Sequence, residues 1–193
     1  MKKIGKILAA NRSEIAIRIF RAAEESGIKT AAIYSKEDRF AIHRFKTDES
    51  YLVGEGKGPI QAYLDIDSII KIAKDAKVDA IHPGYGFLSE SPELAEQCEK
   101  NDITFIGPSK EILKRFGNKT EAKKVAEEAK VGTVPSVLVT KENLKSVEKE
   151  VEKIGYPVIV TASWGGGGRG MRVVRSSNEL IDQITTAQSE SLK

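Results

Sequence analysis

The sequence is poor in the residues that build metal and cofactor sites. It holds one cysteine, Cys98, two histidines, His43 and His82, one tryptophan and two methionines in 193 residues. A lone cysteine excludes an internal disulfide framework and any cysteine-rich zinc site. The two histidines lie far apart with no carboxylates at matching spacing, so no metal-ligand motif is expected. No apolar run reaches the length that crosses a bilayer, and Lys6 and Asn11-Arg12 interrupt any signal-peptide core near the start. A cytoplasmic protein is the expectation. Charge of one sign is scarce too. The formal net charge is +3, and the lysines spread along predicted helices without a basic block interleaved with aromatics, so nucleic acid is not an expected partner. With 40% hydrophobic and 31% charged residues, the chain is too apolar for disorder. It is long enough for one α/β domain and part of a second.

What is present is an alternation of short apolar strands with amphipathic helices. Residues 4–10 read as a buried strand, followed by Asn11 and Glu14, which read as a capping box opening a helix with Ile15, Ile19, Ala22 and Ala23 on one face. Further strands are predicted at residues 29–34, 50–53, 79–82 and 104–106. Helices are predicted at about 65–76, 92–100 and 110–116. This spacing argues for a parallel sheet with helices on both faces, whose ligand sites lie at the carboxyl ends of the strands, where residues 82–87 fall. Near Gly117 the character changes: residues 120–130 read as a helical linker. A strand at 136–139, a helix carrying Leu144, Val147, Val151 and Ile154, strands at 158–160 and 171–174, and a last helix from Ser177 follow. The expected organisation is a domain at 1–117, a linker at 118–131 and a small α+β subdomain at 132–193.

The most informative stretch is Trp164-Gly165-Gly166-Gly167-Gly168-Arg169-Gly170-Met171-Arg172. Consecutive glycines expose backbone N–H groups without side chains in the way, and such concave donors bind phosphate oxygens. Arg169 and Arg172 add forked cations that match phosphate. A Walker A loop is excluded because Met171 follows Gly170 where Lys is required. The dinucleotide pattern is formally met by Gly165, Gly167 and Gly170, but it needs a helix next, and residues 171–174 read as a strand. A strand–glycine loop–strand flap over a nucleotide's phosphates remains. The plain alternative is a hairpin tip with no ligand.

Several blocks in order then carry a resemblance. Asn11-Arg12-Ser13-Glu14-Ile15-Ala16, His82-Pro83-Gly84-Tyr85-Gly86-Phe87-Leu88-Ser89-Glu90, Gly117-Asn118-Lys119 and the run from Gly165 to Arg172 resemble the signature blocks of biotin carboxylase domains. Within that family, Ile33-Tyr34-Ser35, Asp38-Arg39, His43-Arg44, Tyr51-Leu52-Val53-Gly54-Glu55-Gly56-Lys57-Gly58-Pro59 and Ala62-Tyr63-Leu64-Asp65 are similar to the pyruvate carboxylase type. The acetyl-CoA or propionyl-CoA carboxylase subunit ranks second.

The resemblance implies a Rossmann-like sheet domain followed by an ATP-grasp unit, of which residues 132–193 would be the lid. It implies MgATP and bicarbonate as co-substrates, biotin as carboxyl carrier and pyruvate as final acceptor. It places ATP contacts at Lys119, Gly165, Gly166, Gly167, Gly168, Arg169 and Met171, a substrate-side loop at His82, Gly84, Tyr85 and Gly86, and a subunit contact at Arg18, Arg21 and Glu25. The bland readings are a solvated Lys119, a satisfied structural His82 and a solvated ion-pair face along Arg18, Arg21 and Glu25. Two positions depart from the family pattern: Ser13 stands where glycine is usual, and Thr161 where a phosphate-contacting lysine is usual. The metal-binding carboxylates, the bicarbonate arginine and most of the biotin site would lie beyond Lys193. The expected partners are therefore the rest of the biotin carboxylase domain, a carrier domain and a carboxyltransferase domain, in a homo-oligomer. The chain by itself is expected not to turn over. The competing class is a non-catalytic assembly module with a degenerate lid; a nucleotide-binding regulator is a weaker third.

Overall fold

The computed structural model describes residues 3–140, 142–144, 146–161 and 171–191. These divide into two compact units, Met1–Lys114 and Arg115–Lys193.

The first unit is built on five short strands: β1 (Lys6–Ala9), β2 (Lys29–Tyr34), β3 (Glu49–Leu52), β4 (Ala80–His82) and β5 (Thr104–Phe105). All neighbouring pairs are parallel, and the spatial order is β3-β2-β1-β4-β5. Alternate residues of a strand point to opposite faces, and this sheet uses both. Ile7 and Ala9, with Ala32 and Ala80, pack against Ala16, Ile19, Phe20 and Ala23 of α1 (Ser13–Glu25). Leu8 and Ala10, with Ala31, Ile33 and Ile81, face Ile69, Ile70 and Ala73 of α2 (Ile66–Asp75) and Leu94 and Cys98 of α3 (Pro92–Lys100). Two-sided burial explains why these strands read as continuous apolar runs. The helix starts are set by short polar side chains. Asp65 accepts from the Ser68 N–H at 3.4 Å, and Ser91 from the Leu94 N–H at 3.1 Å with Pro92 in the first turn, an arrangement that suits both the orphan donors and proline's missing one. α4 (Lys110–Gly117) closes this part of the chain.

The second unit holds α5 (Lys119–Glu128), α6 (Val147–Ile154), the antiparallel pair β6 (Val158–Val160) and β7 (Arg172–Val174), and α7 (Ser177–Ser191). Its core gathers Val147 and Val151 of α6, Val174 of β7, and Leu180 and Ile184 of α7. Asn118 caps α5, accepting from Thr120 N at 2.9 Å and Glu121 N at 3.3 Å.

Two expectations fail locally. Residues 136–139 form no strand. Val137 and Val139 still turn toward the core while Ser136 and Leu138 face out, so the alternation in the sequence reports burial without a hydrogen-bonded ladder. The capping box at Asn11 and Glu14 is also absent. The residue preceding α1 is Arg12, whose side chain makes no capping bond, because Asn11 is engaged across the sheet.

Candidate functional site

In an open parallel sheet the ligand crevice lies outside the carboxyl ends of the strands, where the strand order reverses. Here the reversal falls between β1, which continues into Ala10-Asn11-Arg12, and β4, which continues into residues 83–87. Asn11 is 3% exposed. Its amide nitrogen donates to the Pro83 carbonyl at 2.7 Å and the Tyr85 carbonyl at 2.8 Å, while its oxygen accepts from Arg12 N at 2.8 Å. The amide is thus fully used as a clasp between the two strand ends. An aspartate of the same shape could not donate either of the first two bonds.

The loop needs that clasp because its backbone is unusual: Gly84, Gly86 and Phe87 have φ of +67°, +66° and +41°. At Gly84 a Cβ would also lie 2.8 Å from Asn11 Nδ2 and 3.1 Å from Ile15 Cγ1, so the position is closed to any side chain for two reasons. His82, half-buried at the end of β4, accepts the Gly84 N–H on Nδ1 at 3.0 Å. Burial pushes its pKa below the ordinary 6.5, which favours a neutral ring with the proton on Nε2. One ring nitrogen of His82 is therefore engaged within the loop itself. Tyr85 stands 61% exposed, and its hydroxyl donates to the Glu14 carboxylate. Asn11, Arg12, Ser13, Glu14 and Ile15 on one side, and Tyr85, Gly86 and Phe87 on the other, line a cavity of about 320 Å³.

Beside this crevice lies a half-buried polar group that the sequence did not reveal as one. Asp38 Oδ2 accepts from the Tyr63 hydroxyl at 2.8 Å and from Arg12 Nη1 at 3.1 Å, and the Tyr63 oxygen accepts from Ser35 N at 3.2 Å. Burial works against the ionised Asp38, yet the bonds from Tyr63 and Arg12 and the guanidinium charge outweigh it and hold the carboxyl below its ordinary range. Tyr63 is pushed well up, first by burial and then by its bond to Asp38. Close by, fully buried His43 donates from Nε2 to the Ile33 carbonyl at 3.1 Å. The sequence signals here were the blocks Asn11-Arg12, Ile33-Tyr34-Ser35, Asp38-Arg39, His43-Arg44 and Ala62-Tyr63-Leu64-Asp65, which marked the family and a subtype without suggesting a cluster.

Among the described residues, no hydroxyl or thiol is hydrogen-bonded to a histidine base. Cys98 is buried and its thiol is pushed up to about 12 by desolvation, far from a reactive thiolate. No group of three or more His, Cys, Asp or Glu side chains is placed to hold a metal among the described residues.

The model of the biotin carboxylase N-terminal domain matches residues 3–113. The chain belongs to the biotin carboxylase family. The carbamoyl-phosphate synthase L chain ATP-binding domain matches residues 118–193. Pyruvate carboxylase of Bacillus subtilis is 55% identical over 98% of the chain, and human mitochondrial pyruvate carboxylase is 50% identical over 99%. The chain spans 17% and 16% of the lengths of those two relatives. A Rhizobium etli pyruvate carboxylase structure aligns over 99% of the chain and 17% of its own, with 52% identity and a TM-score of 0.88. The biotin carboxylase domain dimer of the Hydrogenobacter thermophilus 2-oxoglutarate carboxylase, complexed with MgADP, ADP and bicarbonate, aligns over 100% of this chain and 42% of its own, at 40% identity and a TM-score of 0.91.

Of the residues the sequence singled out in this biotin carboxylase region, the structure brings Tyr85 and Gly86 to the crevice, while Gly84 packs against Asn11 and donates its N–H to His82, which braces the loop. Arg18, Arg21 and Glu25 are exposed along α1, away from its buried stripe. In the second unit Lys119 is exposed at the first position of α5. Gly165, Gly166, Gly167, Gly168 and Arg169 lie outside the described residues. Thr161 directly follows β6 and Met171 directly precedes β7, so both stand at the same end of the hairpin, and both are exposed. Sequence reasoning missed what accompanies them. Ile159 and Val173 are register partners, and with Met171 they leave an apolar outer face more than half exposed, at 61%, 52% and 55%. The signal was legible: in Val158-Ile159-Val160 and Arg172-Val173-Val174 only one face can meet the core, so the other must be apolar and open.

Proposed function

We propose that this chain is the N-terminal part of a biotin-dependent carboxylase of the pyruvate carboxylase type. The complete protein would use MgATP and bicarbonate to carboxylate biotin, then transfer the carboxyl group to pyruvate to give oxaloacetate. The observation that carries this reading is the match to pyruvate carboxylases at 49–55% identity over essentially the whole chain. The same match favours this type over an acetyl-CoA or propionyl-CoA carboxylase subunit. In this reading residues 1–117 are the Rossmann-like domain, 118–131 the helical linker and 132–193 the ATP-grasp lid. The location would be cytoplasmic; among the described residues no helix is long and apolar enough to cross a membrane.

The outer face of β6 and β7 fits one end of a nucleotide. Ile159, Val173 and Met171 offer a flat apolar surface of the kind an adenine ring covers. The glycines at 165–168 and Arg169 would lie over the phosphates with Lys119, while Thr161 can offer only a hydroxyl where a cation would be stronger. The catalytic and metal-binding groups would be supplied by the remainder of the biotin carboxylase domain, with carrier and carboxyltransferase domains as further partners. The similarity to a biotin carboxylase domain dimer supports the exposed Arg18, Arg21 and Glu25 as a subunit contact in a homo-oligomer.

The test is calorimetric titration of the chain and of Thr161→Lys with MgATP. Restoring one charge-assisted phosphate contact should tighten binding about tenfold. Equal affinity in the two proteins would remove position 161 from the phosphate site. Bicarbonate-dependent ATP hydrolysis by the chain alone would overturn the division of labour in which the catalytic groups lie elsewhere.

A further inference from the structure

The crevice loop is clasped at one end by Asn11, but its other end, Phe87, has no such clasp. Phe87 adopts φ +41°, a conformation a bulky residue keeps only where surrounding contacts over-determine it. Those contacts form a stack. The Phe87 ring lies against the Tyr63 ring, with centroids 5.1 Å apart and planes inclined by 17°. The Arg12 guanidinium sits 5.5 Å from the Tyr63 centroid and 5.6 Å from that of Phe87.

Neither Tyr63 nor Arg12 is placed by the stack alone. The fully buried Tyr63 is fixed in roll by donating to Asp38 and accepting from Ser35 N, and Arg12 is fixed by the same Asp38 oxygen. One carboxylate oxygen therefore sets the position of both groups that cover Phe87. We propose that Asp38 and Tyr63 are positioning residues for the loop of residues 85–87, acting through Arg12 and Phe87 to fix where the loop presents Tyr85 and its backbone to the crevice. The importance of that loop to substrate rests on the function proposed above; the positioning itself does not.

Mere packing and positioning predict different responses. If the stack is simply core, replacing Asp38 weakens the first unit as a whole. If Asp38 sets the stack, the loop responds first. The chain labelled with 4-fluorophenylalanine at its six phenylalanines gives one fluorine resonance for each, and Phe87→Leu assigns the one that matters. In Asp38→Asn the Phe87 resonance should move by more than its linewidth. Amide exchange at residues 84–88 should accelerate about tenfold or more while the amides of β1 and the Phe20 resonance stay as they were, since only a local opening has become easier. Tyr63→Phe, which keeps the ring and removes the hydroxyl, should give the same pattern at smaller amplitude. An unmoved Phe87 resonance with unchanged exchange overturns the proposal, and so does acceleration spread evenly over β1 and the loop. If Asp38→Asn does not fold, Arg12→Lys decides by the same criteria, because it keeps the charge and removes the planar cover. The MgATP titration can fail while this test succeeds, and the reverse, so the two readings fall separately.

Discussion

Ser13→Gly should make the protein more stable, which is unusual for a change to glycine. Ser13 opens α1 at φ +57°. For an L-residue with a Cβ the left-handed region costs about 1–2 kcal/mol, whereas glycine enters it freely. The opposing term is the larger freedom glycine loses from the unfolded chain, about 0.5–1 kcal/mol. No other contribution enters at that level: Ser13 is exposed, and its hydroxyl makes no hydrogen bond among the described residues. The difference leaves a stabilisation of about 0.5–1 kcal/mol, or about 1–4 °C in thermal midpoint for a chain of this size. Ser13→Ala keeps the Cβ and the strained φ, so it should stay within about 0.5 kcal/mol of the parent. Urea unfolding followed by far-ultraviolet circular dichroism measures all three proteins. If Ser13→Gly is less stable than the parent, or if Ser13→Ala gains as much as Ser13→Gly, backbone strain at residue 13 is not the operative cause. The family resemblance, which puts glycine at this position, would then need another explanation.

Three other outcomes follow from the same geometry. Asn11→Asp replaces two donors by acceptors facing the Pro83 and Tyr85 carbonyls. It should cost about 2–4 kcal/mol and raise protease cleavage within residues 83–88; parental stability in urea would refute the clasp. His43 is neutral and buried, and desolvation, its main perturbation, holds its pKa below the ordinary 6.5. The unfolded chain therefore takes up this proton first as pH falls. The stability held above about pH 6.5 should decline toward the folded pKa, by up to about 1.4 kcal/mol per pH unit for this one group. Carboxylates held low, such as Asp38, add their own loss only below about pH 4. Flat urea midpoints between about pH 7.5 and 5.5 would contradict the assignment. Leu94→Ala beside Cys98 in the α2–α3 face of the core, both fully buried, should cost about 2–5 kcal/mol, whereas Arg18→Ala on the exposed side of α1 should stay within about 0.5 kcal/mol.

The sheet was legible because its burial pattern is simple. Ile7, Leu8, Ala9 and Ala10 are buried on alternating faces, so the strand reads as one apolar run, and the helices between strands show a single apolar stripe each. The caps at Asp65 and Ser91 follow a local rule: a short polar side chain ahead of an apolar stripe has one local use. Asn11 misled because it has the same local form. Its spacing to Glu14 satisfies a capping pattern, but the two orphan carbonyls at the end of β4 compete for the amide, and they are more than 70 residues away in the chain. Local pattern cannot rank a local acceptor against a remote one.

The same limit separates the residues that sequence spacing singled out from those it did not. The glycine run and Lys119 announce themselves because several residues of one chemistry stand together in sequence. Arg12, Asp38, Tyr63 and Phe87 come from four separate segments, and each alone reads as a loop charge or a core aromatic. They are joined because parallel strands bring all their carboxyl ends to one edge of the sheet, so every β-to-α connection opens onto the same ground. Topology therefore supplies what sequence spacing cannot. Once the strand order β3-β2-β1-β4-β5 is known, residues following β1, β2, β3 and β4 must converge. A charged or aromatic residue just beyond any of those strands then becomes a candidate for the crevice before a single side-chain distance is measured.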